Sequence, residues 1–390
     1  MTDIYFDKLY RYDRIAEPCY IGIPVREGEL WDTDGVRVYQ SGKRQPLQAK
    51  VTSRHKDGSV RFLFLRFLAD LPGCKGTVLQ YDLHGGERTE QGGREIWPDG
   101  VSPVCVSEDE NGITVSTACG GENHALSFRV EHNSRHIFER LFAAGRVYDR
   151  KQFAGPFLKD GEGRTYRMRI GNWRVVEEGP VCAVLKASGS NVLKEGKSAS
   201  GEAERTSGID FEIKLTAWAG KPWVEVSYRI INTSDKPLHV ASLVCHLLRT
   251  VDAVPSDELV SMAMEEKLDS TGCGDHVDAA GFGEGPIFHA RGTGDAEEAA
   301  KKAPVESVRT CVGSSNYKTD FYLGKDGAAV SRVVDAKWLM FEANEHVPEV
   351  LYGTFFADCT DAAGGVCATV FQAQQNYPKA VQADRNGLSV

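Results

Sequence analysis

The sequence predicts a mostly β protein in which a small N-terminal β-barrel precedes a large antiparallel β-sandwich. Three observations support this prediction. Apolar and polar residues alternate along residues 211–217 and again along 224–230, which is typical of strands with one buried face. Helical signals are few, and one polar, glycine-rich stretch without a period, residues 85–93, separates two strand-rich parts. We therefore expect the barrel over residues 1–90 and the sandwich over residues 94–390.

Short strands make up the N-terminal part. Residues 36–39 and 47–51 are joined through a Ser-Gly-Lys turn, and residues 78–83 close the unit. Between them, residues 60–67 follow an Asp-Gly-Ser turn and carry aromatic and aliphatic side chains on both faces. Such a nearly continuous apolar run predicts a strand that is buried on both faces.

Longer strands follow the linker, and two short helices are expected among them. Residues 181–187 and 241–248 are apolar enough to be further strands of the sandwich. Residues 295–302 begin with an Asp-x-x-Glu capping pattern, carry Glu to Lys pairs four residues apart, and end before a proline. Residues 256–268 are the second candidate helix.

The charge and the cysteines limit the partners and the compartment. The chain has 390 residues and a formal net charge of −9, with 55 acidic against 46 basic residues. This balance disfavours nucleic acid or an anionic membrane as the main partner, so we expect neither. The N-terminus lacks the basic start and apolar core of a signal peptide, and the ten cysteines are far apart. We therefore expect ten free thiols in a cytoplasmic protein, the alternative being that a leader was removed.

Motifs for metals, nucleotides and nucleophilic catalysis are missing from the sequence. Cys273 and His276 are close enough to share a metal ion, but no second pair with matching spacing completes a zinc site. There is no G-x-S-x-G elbow, no P-loop and no G-x-G-x-x-G after a strand. These absences disfavour a serine hydrolase, an NTPase and a dinucleotide oxidoreductase, and we expect neither a metal nor another cofactor.

Two basic stretches with tyrosines are the densest in this acidic chain. Arg167 and Arg169 fall on one face of a predicted strand, and a tyrosine and a methionine fall on the other. Tyr148 and Lys151 belong to the stretch just upstream. Arginine matches a carboxylate in bidentate geometry, so this region is a candidate site for an acidic ligand. The alternative is a solvated strand face opposite acidic neighbours.

Tyrosine, lysine and amide groups recur towards the C-terminus. Aromatic faces beside planar polar groups are typical of sugar sites, although turns also use Asn and Pro. His289 beside a phenylalanine is a candidate base, with packing as its alternative role. The remaining candidate substrate-binding residues are Tyr317, Lys318, Tyr377 and Lys379.

Several motifs together resemble one family. A Gly-Ile-Pro entry at residues 22–24, a Pro-Leu-Gln segment, and an Asp-Gly-Ser-Val-Arg strand at residues 57–61 are similar, in this order, to the N-terminal RIFT-type barrel of YetA-like exo-rhamnogalacturonan lyases. Phe62 stands where that family is expected to have a tryptophan. Residues 210–233 resemble the family's central sandwich, a supersandwich similar to galactose mutarotase. Residues 375–379 resemble its closing segment.

This resemblance implies a polysaccharide lyase that acts on rhamnogalacturonan-type pectin by β-elimination at galacturonate. The reaction needs a base for the C5 proton and a cation that neutralises the uronate carboxylate. Members of the family continue with a helical α/α toroid, so the resemblance implies that this chain is the N-terminal and central portion of such an enzyme. No motif carries a catalytic role over to a particular residue. We expect no appreciable lyase turnover by this chain alone and a weak, salt-sensitive affinity for an acidic oligosaccharide or polysaccharide.

Two other functions stay open. A non-catalytic carbohydrate-binding or scaffold protein would use the same folds with aromatic platforms and without a base. A mutarotase-type activity would need a histidine and a carboxylate in one cleft, and the candidate histidines are His246, His289 and His346.

Overall fold

The computed structural model describes residues 1–6, 13–73, 75–84, 95–118, 126–143, 145–193 and 206–248. In the last third it describes residues 264–268, 287–289, 307–312, 318–324, 329–335, 355–361, 364–371, 379–384 and 387–390. Most of these residues lie in antiparallel strands, and a 3₁₀ turn at Arg150–Gln152 is the only helical element among them. No helix within these ranges is long and apolar enough to cross a membrane. The predicted mostly β fold class is confirmed.

Two small sheets with a common core form the N-terminal part. Their strands are β1 (Thr2–Phe6), β2 (Arg14–Pro24), β3 (Arg37–Gln40), β4 (Lys43–Arg44), β5 (Leu47–Arg54), β6 (Val60–Leu71) and β7 (Thr77–Asp82). One sheet has the order β1-β7-β3-β4 and the other the order β2-β6-β5. Val38 and Leu79 of the first sheet are buried in one cluster with Leu63, Leu65 and Phe67 of the second. Each sheet therefore hides one face against the other.

A five-stranded sheet forms one layer of the sandwich. Its strands are β8 (Cys105–Glu108), β9 (Gly112–Ser116), β10 (Ser127–Glu131), β11 (Arg140–Ala143) and β12 (Arg146–Asp149), in the order β12-β11-β10-β9-β8. Val115, Phe128 and Leu141 of this sheet share one buried cluster with Met168 and Phe211 of the next layer. This cluster is the main core of the protein.

A twelve-stranded sheet forms the second layer. The remaining strands are β13 (Phe153–Asp160), β14 (Thr165–Ile170), β15 (Arg174–Glu177), β16 (Cys182–Leu193), β17 (Thr206–Trp218), β18 (Val224–Asn232), β19 (Val240–Leu248), β20 (Met264–Leu268), β21 (Ile287–His289), β22 (Ser307–Val312), β23 (Lys318–Gly324), β24 (Ala329–Asp335), β25 (Phe355–Asp361), β26 (Gly364–Thr369), β27 (Lys379–Asp384) and β28 (Gly387–Ser389). The large sheet has the order β18-β17-β16-β14-β13-β19-β28-β27-β24-β23-β20, with β15 paired to β16. A further four-stranded sheet has the order β21-β22-β25-β26.

The alternating hairpin of the sequence is confirmed as β17 and β18. Phe211, Ile213 and Leu215 are fully buried, whereas Glu212 and Lys214 between them reach solvent. The two strands pair antiparallel over nine residue pairs without a register shift. One face of this hairpin thus belongs to the core, and the opposite face reaches solvent at Glu212 and Lys214. The predicted polar face is wrong at Thr216 and Trp218, which are buried because the N-terminal part covers that end of the strand.

One predicted helix is wrong where the structure describes it. Residues 256–268 are expected to be helical, but Met264–Leu268 is a strand that pairs antiparallel with β23. So short a segment gains few helical hydrogen bonds, whereas pairing at a sheet satisfies its backbone, and tertiary pairing overrides local propensity. The stretch 295–302 and the linker 85–93 lie outside the described residues, so the linker and the domain boundary stay predictions.

The prediction of ten free thiols is also wrong, because Cys105 is disulfide-bonded. Cys19, Cys182 and Cys245 are free thiols. Spacing along the chain could not reveal the bridge, since pairing depends on which Cβ atoms folding brings within about 4 Å.

A polar and aromatic contact joins the β2-β6-β5 sheet to the large sheet. The Arg66 guanidinium lies 5.0 Å from the ring centroid of Phe64 and 5.3 Å from that of Trp218 on β17. Its Nε is 3.1 Å from Glu177 Oε2, an ion pair whose N–H is not aligned as a hydrogen bond. Lys50 donates to Glu177 Oε1 at 2.9 Å. A cation between two rings is attracted by both ring quadrupoles, and partial burial strengthens its ion pair. We call these five residues the Arg66 clamp.

Packing around Gln48 continues this contact. Its Oε1 accepts a hydrogen bond from the backbone N–H of Cys182 at 3.0 Å. Its side chain also lies so close to Gly179 that a Cβ atom there would collide with it. Ala16 and Leu68 of the N-terminal sheets belong to the main core of the sandwich. The N-terminal part is therefore fixed to the large sheet by apolar as well as polar contacts.

We expect Arg66→Ala to lower the free energy of unfolding by about 1–3 kcal/mol, because it removes the cation–π contacts and leaves Glu177 with one partner. Urea unfolding measures this change. Arg61→Ala is the matched control, since Arg61 is exposed on the same strand. We expect the control to stay within about 0.5 kcal/mol of the parent. Equal stability of the two variants would contradict the structural role of the Arg66 clamp.

We expect no more than eight thiols to react in denatured, non-reduced protein, since one bridge removes two of the ten cysteines. Alkylation followed by intact mass spectrometry counts them, and reduction beforehand should restore all ten. Ten reactive thiols without reduction would show that Cys105 is unbonded in solution.

Candidate functional site

The two arginines singled out in the sequence share one face of the large sheet. Arg167 and Arg169 are exposed on β14, whereas Tyr166 and Met168 are buried, as the alternation predicts. The register places Ser190 of β16 opposite Arg169. Residues directly opposite each other on paired strands lie on the same side of a sheet, so the polar side of β16 continues that of β14.

Charges of both signs cover the rest of this side. Ser190 Oγ donates a hydrogen bond to Asp210 at 2.6 Å, and Lys186 Nζ lies 2.6 Å from Glu212 Oε2. The hydrogen bond from Lys186 lowers the pKa of Glu212. Within the described chain the Arg167 side chain makes no hydrogen bond or ion pair, so its guanidinium is available to an anionic ligand. We define the arginine face by its members Arg167, Arg169, Lys186, Ser190, Asp210 and Glu212.

A buried carboxylate fixes the turn that leads into β14. Asp160 accepts hydrogen bonds from the backbone N–H groups of Glu162 and Arg164, from Arg164 Nε at 2.7 Å, and from the Tyr166 hydroxyl at 2.9 Å. Burial acts to raise the pKa of Asp160, but these hydrogen bonds outweigh it and lower the pKa to about 2. The ionised carboxylate therefore holds the β13-β14 hairpin, and with it the position of Arg167.

The upstream candidates do not join the arginine face. Tyr148 lies on β12 in the other layer of the sandwich and is 6% exposed. Its ring packs against Phe153 and lies 5.5 Å from the Arg146 guanidinium. Lys151 is exposed in the 3₁₀ turn, where its backbone N–H donates to Asp149. Tyr148 is thus a core residue, and Lys151 belongs to the turn between the two layers.

The backbone brings two of the C-terminal candidates to the same end of the large sheet. Lys379 is opposite Val333 of β24, which is opposite Thr319, the residue after Lys318. With one strand between them, the two lysine positions are about 10 Å apart across the sheet. His289 ends β21 in the separate four-stranded sheet, and Tyr317 and Tyr377 lie outside the described residues.

The structure exposes an aromatic face that sequence reasoning missed. On the outer side of the β2-β6-β5 sheet, Tyr20 is 64% exposed and Phe62 is 43% exposed. The Phe64 ring centroid lies 5.8 Å from that of Tyr20. Gly22 is opposite Phe64 in the register, and a Cβ atom there would meet nothing within 4 Å. We call Tyr20, Gly22, Phe62 and Phe64 the aromatic face.

The prediction that residues 60–67 are buried on both faces is wrong for this reason. Leu63, Leu65 and Phe67 are fully buried, but Phe62 is exposed. A run of aromatic and aliphatic residues shows that a strand is apolar, and it does not show whether a second layer covers its outer side. The neighbouring strand carried the useful signal, because its alternation leaves Tyr20 on an uncovered side.

The Arg66 clamp connects the aromatic face to the arginine face. Lys50 is opposite Phe64 in the register and pairs with Glu177. Partial burial acts to raise the pKa of Glu177, but Lys50 and Arg66 outweigh it and lower the pKa. Arg174 lies at the opposite end of β15 from Glu177, and its charge adds to the effect of Lys186 in lowering the pKa of Glu212. The two faces are therefore parts of one outward surface with alternating charge.

A mutarotase-type site needs a histidine beside a carboxylate, and of the three candidate histidines the structure describes the side-chain contacts of His246. His246 is buried on β19, with Nδ1 2.6 Å from Ser389 Oγ and its ring 5.9 Å from that of Phe157. His289 belongs to a different sheet, and His346 lies outside the described residues.

Neither a metal cluster among the described residues nor a match to a known protein indicates a function, so the functional proposal rests on the outward surface. Among the described residues, no group of three or more His, Cys, Asp or Glu side chains is placed to hold a metal ion, and Cys273 and His276 lie outside them. No protein-family model matches the sequence, and no curated protein matches it. The resemblance to rhamnogalacturonan lyases thus rests on the motifs alone.

We expect Asp160→Asn to destabilise the protein at neutral pH and to flatten its stability between about pH 4 and pH 2. The folded pKa of Asp160 lies below the unfolded value of about 3.9, so its stabilisation is present above pH 4 and is lost as the pH falls through about 2. Urea unfolding across this pH range measures the change. Glu162→Gln, in the same turn but exposed, is the control and should keep the slope of the parent. An unchanged slope in Asp160→Asn would contradict the assignment.

Proposed function

We propose that this chain binds acidic oligosaccharides on the outward surface formed by the aromatic face and the arginine face. One observation supports the proposal above the others. The exposed rings of Tyr20 and Phe62 lie on a sheet face that continues into the arginine face, and within the described chain Arg167 of that face has no ion-pair partner. A contiguous exposed apolar patch with a polar rim is typical of a binding surface.

Sugar chemistry fits both parts of this surface. The C–H faces of a pyranose pack on aromatic rings, and its hydroxyl groups need planar polar partners. Arg167 adds a guanidinium that matches a uronate carboxylate in bidentate geometry. In such a solvated setting an ion pair contributes about 0–1 kcal/mol, so the affinity should be weak and should fall as salt rises.

Binding without turnover fits the described residues better than β-elimination does. A base must reach the C5 proton of a uronate whose carboxylate the cation holds. Tyr166, the tyrosine next to Arg167, is buried and donates its hydroxyl proton to a hydrogen bond with Asp160. Burial and this hydrogen bond raise the pKa of Tyr166, which disfavours the phenolate. Tyr148 is buried in the other layer, so neither tyrosine reaches a substrate at Arg167.

The lyase remains a second proposal, in which this chain is the N-terminal and central portion of a pectin-cleaving enzyme with an α/α toroid as partner. The common sheet end of Lys318 and Lys379 favours it, because one lysine could act as base and the other as cation. The ultraviolet absorbance of an unsaturated uronate tests it: product formed by the parent and abolished by Lys379→Ala would favour the lyase over simple binding.

The cytoplasmic location stays a prediction from the sequence. The disulfide at Cys105 is evidence against it, because disulfides are typical of an oxidising environment.

We expect Tyr20→Ala and Arg167→Ala each to weaken the binding of rhamnogalacturonan oligosaccharides by about 2- to 10-fold, because each removes a ring or a carboxylate partner. Calorimetry or NMR titration measures the affinity. Tyr5→Ala and Arg140→Ala are matched controls, since Tyr5 is 74% exposed on another sheet and Arg140 is exposed on the five-stranded sheet. Equal effects of variants and controls, or salt-insensitive binding, would move the site elsewhere.

A further inference from the structure

β18 is the strand at one edge of the large sheet. Within the described chain it pairs only with β17, and the exposed residues along its middle are Glu225, Val226, Ser227 and Arg229. Val226 is 45% exposed although it is opposite the fully buried Leu215 on the core side of the sheet. An edge strand offers a row of backbone N–H and C=O groups with which another strand can pair.

The sequence of β18 is complementary to itself in the antiparallel direction. With Ser227 opposite its own copy, Glu225 of each strand is opposite Arg229 of the other. On the other side of the sheet, Val226 is opposite Tyr228, and the next pair outward, Val224 opposite Ile230, is aliphatic. Opposite charges and apolar pairs directly across an antiparallel pair are both stabilising.

We propose that two copies of this chain associate through β18, antiparallel about a two-fold axis at Ser227, so that their large sheets become one continuous sheet. This self-complementary contact is the isologous type that closes a symmetric dimer. The pairing would also cover the exposed Val226 with Tyr228 of the second copy, which extends the core across the axis.

Charge selects this register over its neighbours. An axis at Glu225 or at Arg229 places like charges opposite each other, which is destabilising. An axis at Val226 or at Tyr228 leaves both charges opposite neutral residues. An axis between two residues turns the core side of one strand to the outer side of the other. Among these registers, the axis at Ser227 alone satisfies charge and burial together.

The surroundings of the two charges suit this pairing. Glu225 Oε1 accepts a hydrogen bond from Trp218 Nε1 at 2.9 Å, which leaves Oε2 for Arg229 of the second copy. Arg229 is opposite Glu212 within its own sheet. From Glu212 through Arg229 to Glu225 of the second copy, the charges would therefore alternate in sign across the contact. Because the axis is perpendicular to the sheet, both arginine faces would lie on the same side, and one polysaccharide chain could bind to both.

Sedimentation of the full chain and a cysteine cross-link test the contact directly. We expect a monomer–dimer equilibrium in the micromolar range, and in Ser227→Cys a disulfide between the introduced thiols of the two copies after mild oxidation. Opposite residues of an antiparallel pair have Cα atoms about 4.5–5.5 Å apart, which a disulfide can bridge. Ser188→Cys is the control, because Ser188 is exposed on the interior strand β16. A monomer throughout, or no more cross-link than in the control, would overturn the proposal.

Charge reversal identifies the register. We expect Arg229→Glu to weaken the dimer at least about tenfold, because each Glu225 then meets a glutamate, and the double variant Glu225→Arg/Arg229→Glu to recover most of the affinity. A dimer unaffected by Arg229→Glu, or one that the double variant does not restore, would mean that the two charges protect a free edge instead. Circular dichroism of each variant confirms that the fold is retained.

Discussion

A partly buried cation, the guanidinium of Arg66, holds the N-terminal sheets on the sandwich together with the apolar contacts of Ala16 and Leu68. It lies between the rings of Phe64 and Trp218 and beside the Glu177 carboxylate, so aromatic and ionic contacts from three strands meet at one side chain. A lysine would not serve equally well, since a planar guanidinium stacks on rings and pairs with a carboxylate at the same time. This contact sets where the aromatic face lies relative to the charged side of the large sheet.

The large sheet divides its two sides between stability and solvent. Phe211, Ile213 and Leu215 fill the core, while Glu212 and Lys214 of the same strand face the other way. Hydrogen bonds and ion pairs such as Ser190–Asp210 and Lys186–Glu212 keep the charged side ordered without removing it from water. Exposed pairs of this kind contribute little to stability, so this side is free to serve recognition.

The outward surface combines two kinds of contact that a sugar acid needs. The aromatic face offers rings beside open backbone at Gly22, and Arg167 offers a cation held in place by the Asp160 turn. Catalysis asks for more, because a base must stand within hydrogen-bond reach of the same substrate. Tyr166, the buried tyrosine next to Arg167, cannot supply it, which is why we favour binding over elimination for the described part of the chain.

Much of the fold could be predicted from the sequence, and less of the site. Strict alternation at Phe211–Ala217 and at Arg167–Arg169 determined strands with a core side and a polar side, because side-chain direction in a strand depends only on residue parity. The same rule could not show that Phe62 is exposed, since exposure depends on whether a second layer covers that side of the sheet. Nor could it show that Tyr148 is in the core, that residues 264–268 form a strand, or that Cys105 is bridged. These features depend on partners distant in sequence, and only the tertiary structure brings those partners together.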